Sequence, residues 1–390
     1  MLRFVSSSLL GPQPPPLERG LLKPSGIAAY PLFTEVRDPD SLLGINTYTE
    51  YQFDWPERVA MDMVLDATRM GAQCMNYTQV VEINSGKAKR WHIVASDRTG
   101  NHLEFQTDVI VNTAGIWIDK VNQLANPQAS RRVLGTKGAH IVLQLPPSCQ
   151  NQGLITLNRE MEEPIYLVPW KNGLHYMGVT ETVYEDDIDD VRATDDDIDW
   201  LLSEFNHLLP DLTKTREDVL YTWAGVRPLT YDPALPKGAR NRLISHLHND
   251  RLDGVLAMTA GPVTTHRSAG HQLRDAVQKL IRPTGAKIQP NYAPPEIPSS
   301  SESPNVLNQE DSITVSQLRY SAQNEQVWTL TDLLARRTGL AWTQSRGREG
   351  ARFAAQAVAD LMGWDEAQID RETQKYLDYV NHTLRKPVDN

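Results

Sequence analysis

The sequence predicts an α+β protein, and three observations carry that prediction. A capped amphipathic helix leads into strands, one of which ends in an apolar run meeting a glycine. A central block alternates short apolar runs with turn residues. A Pro- and Ser-rich stretch then gives way to segments with helical periodicity only.

Residues 11–40 are rich in Pro and Gly, with Pro14-Pro15-Pro16, and predict an irregular lead-in over 1–50. The first regular element is a helix over Asp54–Met70. Pro56 suits a first helical position, and Val59, Ala60, Met63, Val64, Ala67 and Met70 recur at helical spacing before Gly71. Thr78–Ile83, Trp91–Ser96 and His102–Thr113 read as strands, separated by Asn84-Ser-Gly86 and Arg98-Thr-Gly-Asn101. The last ends in Val109-Ile-Val111 and Asn112-Thr-Ala-Gly115, the pattern of a buried strand whose C-terminal end faces a ligand. Ala139–Leu145, Leu154–Leu157, Pro164–Val168 and Leu174–Val179 predict a mostly antiparallel sheet. Thr194 and Asp197 form a capping box for a helix whose stripe runs through Ile198, Leu201, Leu202, Phe205, Leu208 and Leu209 to Pro210. Residues 285–310 hold five prolines and Ser299-Ser-Ser-Glu-Ser303, a linker. Beyond it, stripes through Leu330, Leu333 and Leu334, then Phe353, Ala357 and Leu361, then Ile369, Tyr376 and Val380 predict a C-terminal helical domain over 311–390.

Bulk properties narrow the function classes. With 390 residues and a net charge of −10, the chain has room for two or three domains and no general affinity for nucleic acid. Ten carboxylates and one arginine lie between Glu181 and Asp199, as in a solvated loop. Cys74 and Cys149 supply neither a disulfide framework nor a metal set, and His246 and His248 have no Cys or acidic companions, so no metal site is expected. No apolar run approaches the ~18 residues of a membrane span, and Met1–Leu10 does not read as a signal peptide. The expected location is the cytoplasm, with peripheral contact at the inner face of the cell membrane compatible with it.

Two segments carry the chemistry. Tyr221-Thr-Trp-Ala-Gly-Val-Arg-Pro-Leu-Thr230 reads as a Trp-Ala-Gly turn that delivers Arg227, with Pro228 stiffening the chain behind it. Ala260-Gly-Pro-Val-Thr-Thr-His-Arg267 strings a glycine, two hydroxyls and an arginine together, as a backbone closing on an anionic ligand would. With Asn112-Thr-Ala-Gly-Ile-Trp117, Lys137-Gly-Ala-His140, Tyr166-Leu-Val-Pro-Trp170 and Met177-Gly-Val-Thr-Glu181, these six motifs in order resemble the FAD-dependent glycerol-3-phosphate dehydrogenases. Gln323 to Arg337 looks like that family's helical C-terminal domain, and the resemblance runs from about Thr49 almost to the end.

The resemblance implies FAD as cofactor and oxidation of glycerol 3-phosphate to dihydroxyacetone phosphate, with electrons passed to a membrane quinone. It implies that residues 51–135 and 250–284 belong to an FAD-binding domain and 136–249 to a substrate domain. His140 is the implied proton acceptor, and Arg227 the implied arginine for phosphate or alkoxide. Arg240 is a further implied substrate arginine, with neighbouring Arg242 competing for the alignment, and Thr180 is a third substrate-binding candidate. Gly115, Gly261, Thr264 and Thr265 match positions that touch the flavin. Arg58 matches a family arginine with a structural role, and Trp170 and Trp223 read as core. Each has a plainer reading: a surface ion pair for Arg227 and Arg240, a hydrogen-bonded structural histidine for His140, a helix cap for the threonines.

The sequence also departs from the family. No Gly-x-Gly-x-x-Gly turn occurs, the acidic ribose partner and the Arg-Tyr substrate pair have no counterpart, and Pro262 stands where the family has lysine. The FAD-binding domain is therefore expected to be incomplete, which leaves the activity of this chain alone open: a misplaced start codon, a split gene whose separate chain supplies the missing unit, and a decayed or repurposed paralogue are the competing explanations. A flavin oxidase of another small hydroxy or amino acid, and a non-catalytic binding or scaffold paralogue, remain alternative readings.

Overall fold

The computed structural model describes residues 19–22, 24–48, 52–53, 55–160, 163–282, 285 and 313–387. The Pro14–Pro16 run and nearly all of the expected linker lie outside them. The lead-in is more ordered than its composition implies. β1 (Arg19–Leu22) pairs antiparallel with β2 (Ile45–Tyr48), and between them α1 (Pro31–Thr34) drives Leu32 into the core. The Leu32 amide donates to Gln152 Oε1 at 3.0 Å. An apolar side chain with a satisfied backbone outweighs local proline content.

α2 (Pro56–Arg69) follows, with Pro56 at its first turn as its sequence requires. β3 (Thr78–Ser85), β4 (Trp91–Asp97) and β5 (His102–Thr107) form an antiparallel meander. The strand expected over His102–Thr113 is broken. Asp108 turns the chain by accepting from the Arg90 amide and Lys89 Nζ, and β6 (Ile110–Asn112) then joins a different sheet. α3 (Ile118–Ala125) packs Ile118 beneath that sheet.

The largest sheet is built on β7 (Val133–Gln144), with β8 (Leu154–Leu157), β9 (Pro164–Pro169), β10 (Leu174–Gly178) and β11 (Thr182–Val183). One face packs on α4 (Asp195–Leu208), whose capping box and apolar stripe form as expected. β12 (Tyr221–Thr230) pairs with β7 along its whole length. The expected Trp-Ala-Gly turn is therefore a strand: Trp223, Ala224 and Gly225 are needed to complete the ladder with His140, Ala139 and Gly138. β13 (Leu243–His246), β14 (Val255–Thr259) and β6 form a three-stranded sheet in which β14 and β6 run parallel, and α5 (His266–Gln278) follows β14.

The C-terminal region is helical: α6 (Val315–Asn324), a π-helical turn Asp332–Arg337, α7 (Ala351–Met362) and α8 (Glu366–Thr383). α7 buries Ala351, Ala354, Ala355 and Val358 and leaves Phe353 exposed, so the expected Phe353 stripe is on the wrong face. Small side chains let neighbouring helices approach, and that outweighs the larger apolar residue. This core continues onto the large sheet through Val142, Leu174 and Tyr221. Arg58 bridges Asp62 and buried Glu325 (2.9 Å), tying α2 to the C-terminal region, the structural role expected of it.

Candidate functional site

Strand alternation decides which side chains share a face of the large sheet. His140 lies opposite Trp223 and Gly178, Gly138 opposite Gly225, and Thr136 opposite Arg227. Tyr166 on β9 lies opposite Gly178. One face thus carries His140, Tyr166, Tyr176, Trp223 and Arg227 around three glycines, Gly138, Gly178 and Gly225. Missing side chains make the depression. A Cβ on Gly138 would stand 2.1 Å from Arg227 Nη2, and one on Gly178 would stand 2.2 Å from His140 Cδ2.

His140 stacks on Trp223 with ring centroids 4.7 Å apart and 13° between planes. Its Nε2 shares a 3.0 Å hydrogen bond with the Tyr166 hydroxyl, while Nδ1 is buried with no partner among the described residues. Burial first, and the Arg227 charge second, push its pKa down to about 3. The imidazole is neutral at pH 7 and its tautomer follows Tyr166. Arg227 is half-buried and makes no hydrogen bond to any described residue, and its Nη1 is fully shielded from solvent. Burial lowers its pKa, opposed chiefly by Glu181. An unpaired guanidinium in a depression is a site for an anion.

Arg240 reaches the same depression from the chain beyond β12. It pairs with Glu181 and stands 3.5 Å from Glu163. Arg242, its rival in the sequence, faces elsewhere: it donates to Gln272 Oε1, the Thr265 carbonyl and hydroxyl, and Ser268 Oγ, stapling the 261–268 turn to α5. Thr180 is corrected. Its hydroxyl accepts from the Ala139 amide (2.9 Å) and donates to Asp197 Oδ1, within the buried Lys137–Asp197 pair, so its one O–H is committed inside the protein.

The glycine candidates converge on this depression. β6 and β14 are parallel neighbours, so Gly115 and Gly261 follow the C-terminal ends of adjacent strands, where α/β sheets bind ligands. Both have positive φ, +59° and +89°, and Gly115 faces open space. The Ala260 amide donates to the Pro228 carbonyl at 3.0 Å, one residue beyond Arg227. From the other side, Ile116 packs toward Gly135, the β7 partner of Pro228. Thr264 is exposed, whereas the Thr265 hydroxyl already bonds the Pro262 carbonyl and Arg242. Backbone close approach and one free hydroxyl fit the flavin end of a dinucleotide.

Residues 33–273 match the family model for FAD dependent oxidoreductases. The chain belongs to the FAD dependent oxidoreductase family. Residues 274–369 of this oxidoreductase match the C-terminal domain of alpha-glycerophosphate oxidase. It is 27% identical to a glycerol-3-phosphate dehydrogenase of Synechocystis sp., covering 87% of this chain and 71% of that one. It is 26% identical to the aerobic glycerol-3-phosphate dehydrogenase of Bacillus subtilis over 64% of this chain, and spans 44% of that relative's length. The fold matches the glycerol-3-phosphate dehydrogenase of Bacillus halodurans, solved with FAD, at a TM-score of 0.73 and 21% identity, covering 96% of this chain and 83% of that one. No helix among the described residues is long and apolar enough to cross a membrane.

Sequence reasoning named Arg227, His140 and Arg240, and the structure gathers all three. It missed Glu181 and Tyr166 as site residues, although both stood in quoted motifs. It also missed Gly138, Gly178 and Gly225. A glycine in a strand is a signal in itself, since it often marks close approach of a ligand or another group.

Proposed function

We propose that this flavoprotein oxidises glycerol 3-phosphate to dihydroxyacetone phosphate and passes the electrons to a quinone. The observation that carries the reading is the unpaired, half-buried Arg227 guanidinium beside a neutral His140, next to two strand-end glycine turns. The names of the relatives support the choice of substrate, and the family supports FAD.

Gly115, Gly261 and Thr264 would hold the flavin end by backbone approach and one hydroxyl. Bound FAD supplies the acceptor for the hydride of the secondary alcohol. The chain's own residues do the rest. Arg227, with Arg240, binds the phosphate and so fixes the alcohol carbon relative to the glycine turns. His140 takes the hydroxyl proton on Nδ1, the nitrogen left free while Nε2–H donates to Tyr166. A histidine whose pKa is about 3 is a weak base. Part of that depression comes from the Arg227 charge, so a phosphate dianion on Arg227 raises the basicity of His140 as it binds. Substrate binding and proton acceptance are thereby coupled. Trp223, stacked on the ring, keeps His140 in place.

The test is product formation. FAD-loaded protein supplied with glycerol 3-phosphate and a quinone should form dihydroxyacetone phosphate, and Arg227→Gln should abolish it. Equal turnover of a small amino acid, or product formation indifferent to Arg227, would overturn the reading.

A further inference from the structure

Two buried polar atoms of opposite charge lack partners in the same depression. One is Arg227 Nη1 and the other is Glu181 Oε1. Glu181 is only 7% exposed at its side chain, and its second oxygen, Oε2, is held by Arg240 Nη2. Of the carboxylates, Glu181 exerts the strongest attraction on Arg227. Both arginines act on Tyr166 electrostatically, so the two guanidinium groups border one depression. A carboxylate therefore sits among the cations that an anionic substrate would use.

We propose that Glu181 is the resident counter-ion of this anion site, and that a phosphate monoester binds by displacing its hold on Arg240. The inference rests on the anion-site reading of Arg227. Without Glu181 the depression would hold two guanidinium groups, one of them with no hydrogen bond, and would bind inorganic anions indiscriminately. With it, Arg240 stays neutralised until a ligand offers more negative charge and more acceptor oxygens than one carboxylate. A phosphate dianion does so; a carboxylate ligand of charge −1 does not. Glu181 is thus a specificity-determining residue: its repulsion weakens binding of every anion in proportion to the ligand's charge, and only a ligand that outcompetes one carboxylate for Arg240 displaces it. Glu163, 3.5 Å from Arg240 and more exposed, divides its charge between Arg240 and Lys237 and is a smaller part of the same balance.

The experiment is calorimetric titration of the full chain with inorganic phosphate and with acetate, neither of which needs flavin. Glu181→Gln keeps the shape and removes the charge. Removing one like charge near the ligand at the screening of a half-buried site should tighten phosphate binding about tenfold. Acetate binding should tighten less, about threefold, because the repulsion removed scales with the ligand's charge. Glu163→Gln should change phosphate binding less. If Glu181→Gln does not fold, Arg240→Gln is compared with the double variant Glu181→Gln/Arg240→Gln, where no ion pair is left to break. The double variant should then bind phosphate about tenfold tighter than the single one. Phosphate affinity unchanged or weakened on removing Glu181 would overturn the proposal, since Glu181 would then be orienting Arg240 instead of competing for it. Phosphate binding equal in wild type and Arg227→Gln would instead sink the anion-site reading beneath it.

Discussion

Replacing Arg227 by lysine separates binding from folding at one position. The Arg227 side chain crosses the space over Gly138 and makes no hydrogen bond with the described protein, so the fold has little to lose. Lysine keeps the charge and exchanges a two-pronged donor for a point charge. One charge-assisted hydrogen bond of the pair is lost, which is about 1.5–3 kcal/mol, or roughly ten- to a hundredfold in Kd. The thermal midpoint should stay within the range of surface substitutions, about 0.5 kcal/mol either way. The assay is calorimetric titration with glycerol 3-phosphate alongside thermal unfolding of the same preparation. A lowered midpoint with unchanged Kd would make Arg227 a structural residue and refute the reasoning.

The glycines give a related test. Gly138→Ala places a methyl 2.1 Å from Arg227 Nη2 and should weaken glycerol 3-phosphate binding at least tenfold. Gly178→Ala collides with His140 instead, so it should lower turnover with a smaller effect on Kd. Thr180→Val should leave binding intact and cost about 1–3 kcal/mol in a denaturant titration, because the buried Ala139 amide loses its acceptor. For pH, His140 stays neutral in the folded protein down to about 3, whereas the unfolded chain takes up that proton near 6.5. Stability is therefore lost as pH falls below 6.5, at up to ~1.4 kcal/mol per unit, halved here to about 1 kcal/mol by pH 5 because the ring retains some solvent contact. Wild type should lose that much more than His140→Gln between pH 7 and 5, and equal losses would show that His140 is freely protonated in the fold.

The helices α2 and α4 were legible because their signals are local: Pro56 and Gly71 bracket one, and Thr194 with Asp197 caps the other. Arg227 and His140 were legible as residue types in ordered motifs. Their relation was not, because it depends on the register of β12 against β7, which pairs residues 79 to 97 positions apart. The same register turned an expected loop into a strand and converted three unremarked glycines into the floor of the site. Thr180 failed for a related reason. Its partners, Ala139 and Asp197, come from two other elements, and nothing near it in the chain announces that its hydroxyl is already committed. Leu32 shows the converse, since a proline-rich segment still folds when its apolar side chains, Ile27, Leu32 and Val36, find a core.

The central claim is that a phosphate bound at Arg227 holds an alcohol carbon against flavin seated on the Gly115 and Gly261 turns. Anaerobic titration of FAD-loaded protein, followed in the visible flavin band, tests it most directly. Glycerol 3-phosphate should bleach the band stoichiometrically, glycerol should not at the same concentration, and Arg227→Gln should remove the difference. Bleaching by glycerol as readily as by its phosphate, or a band that glycerol 3-phosphate leaves unchanged, would contradict it.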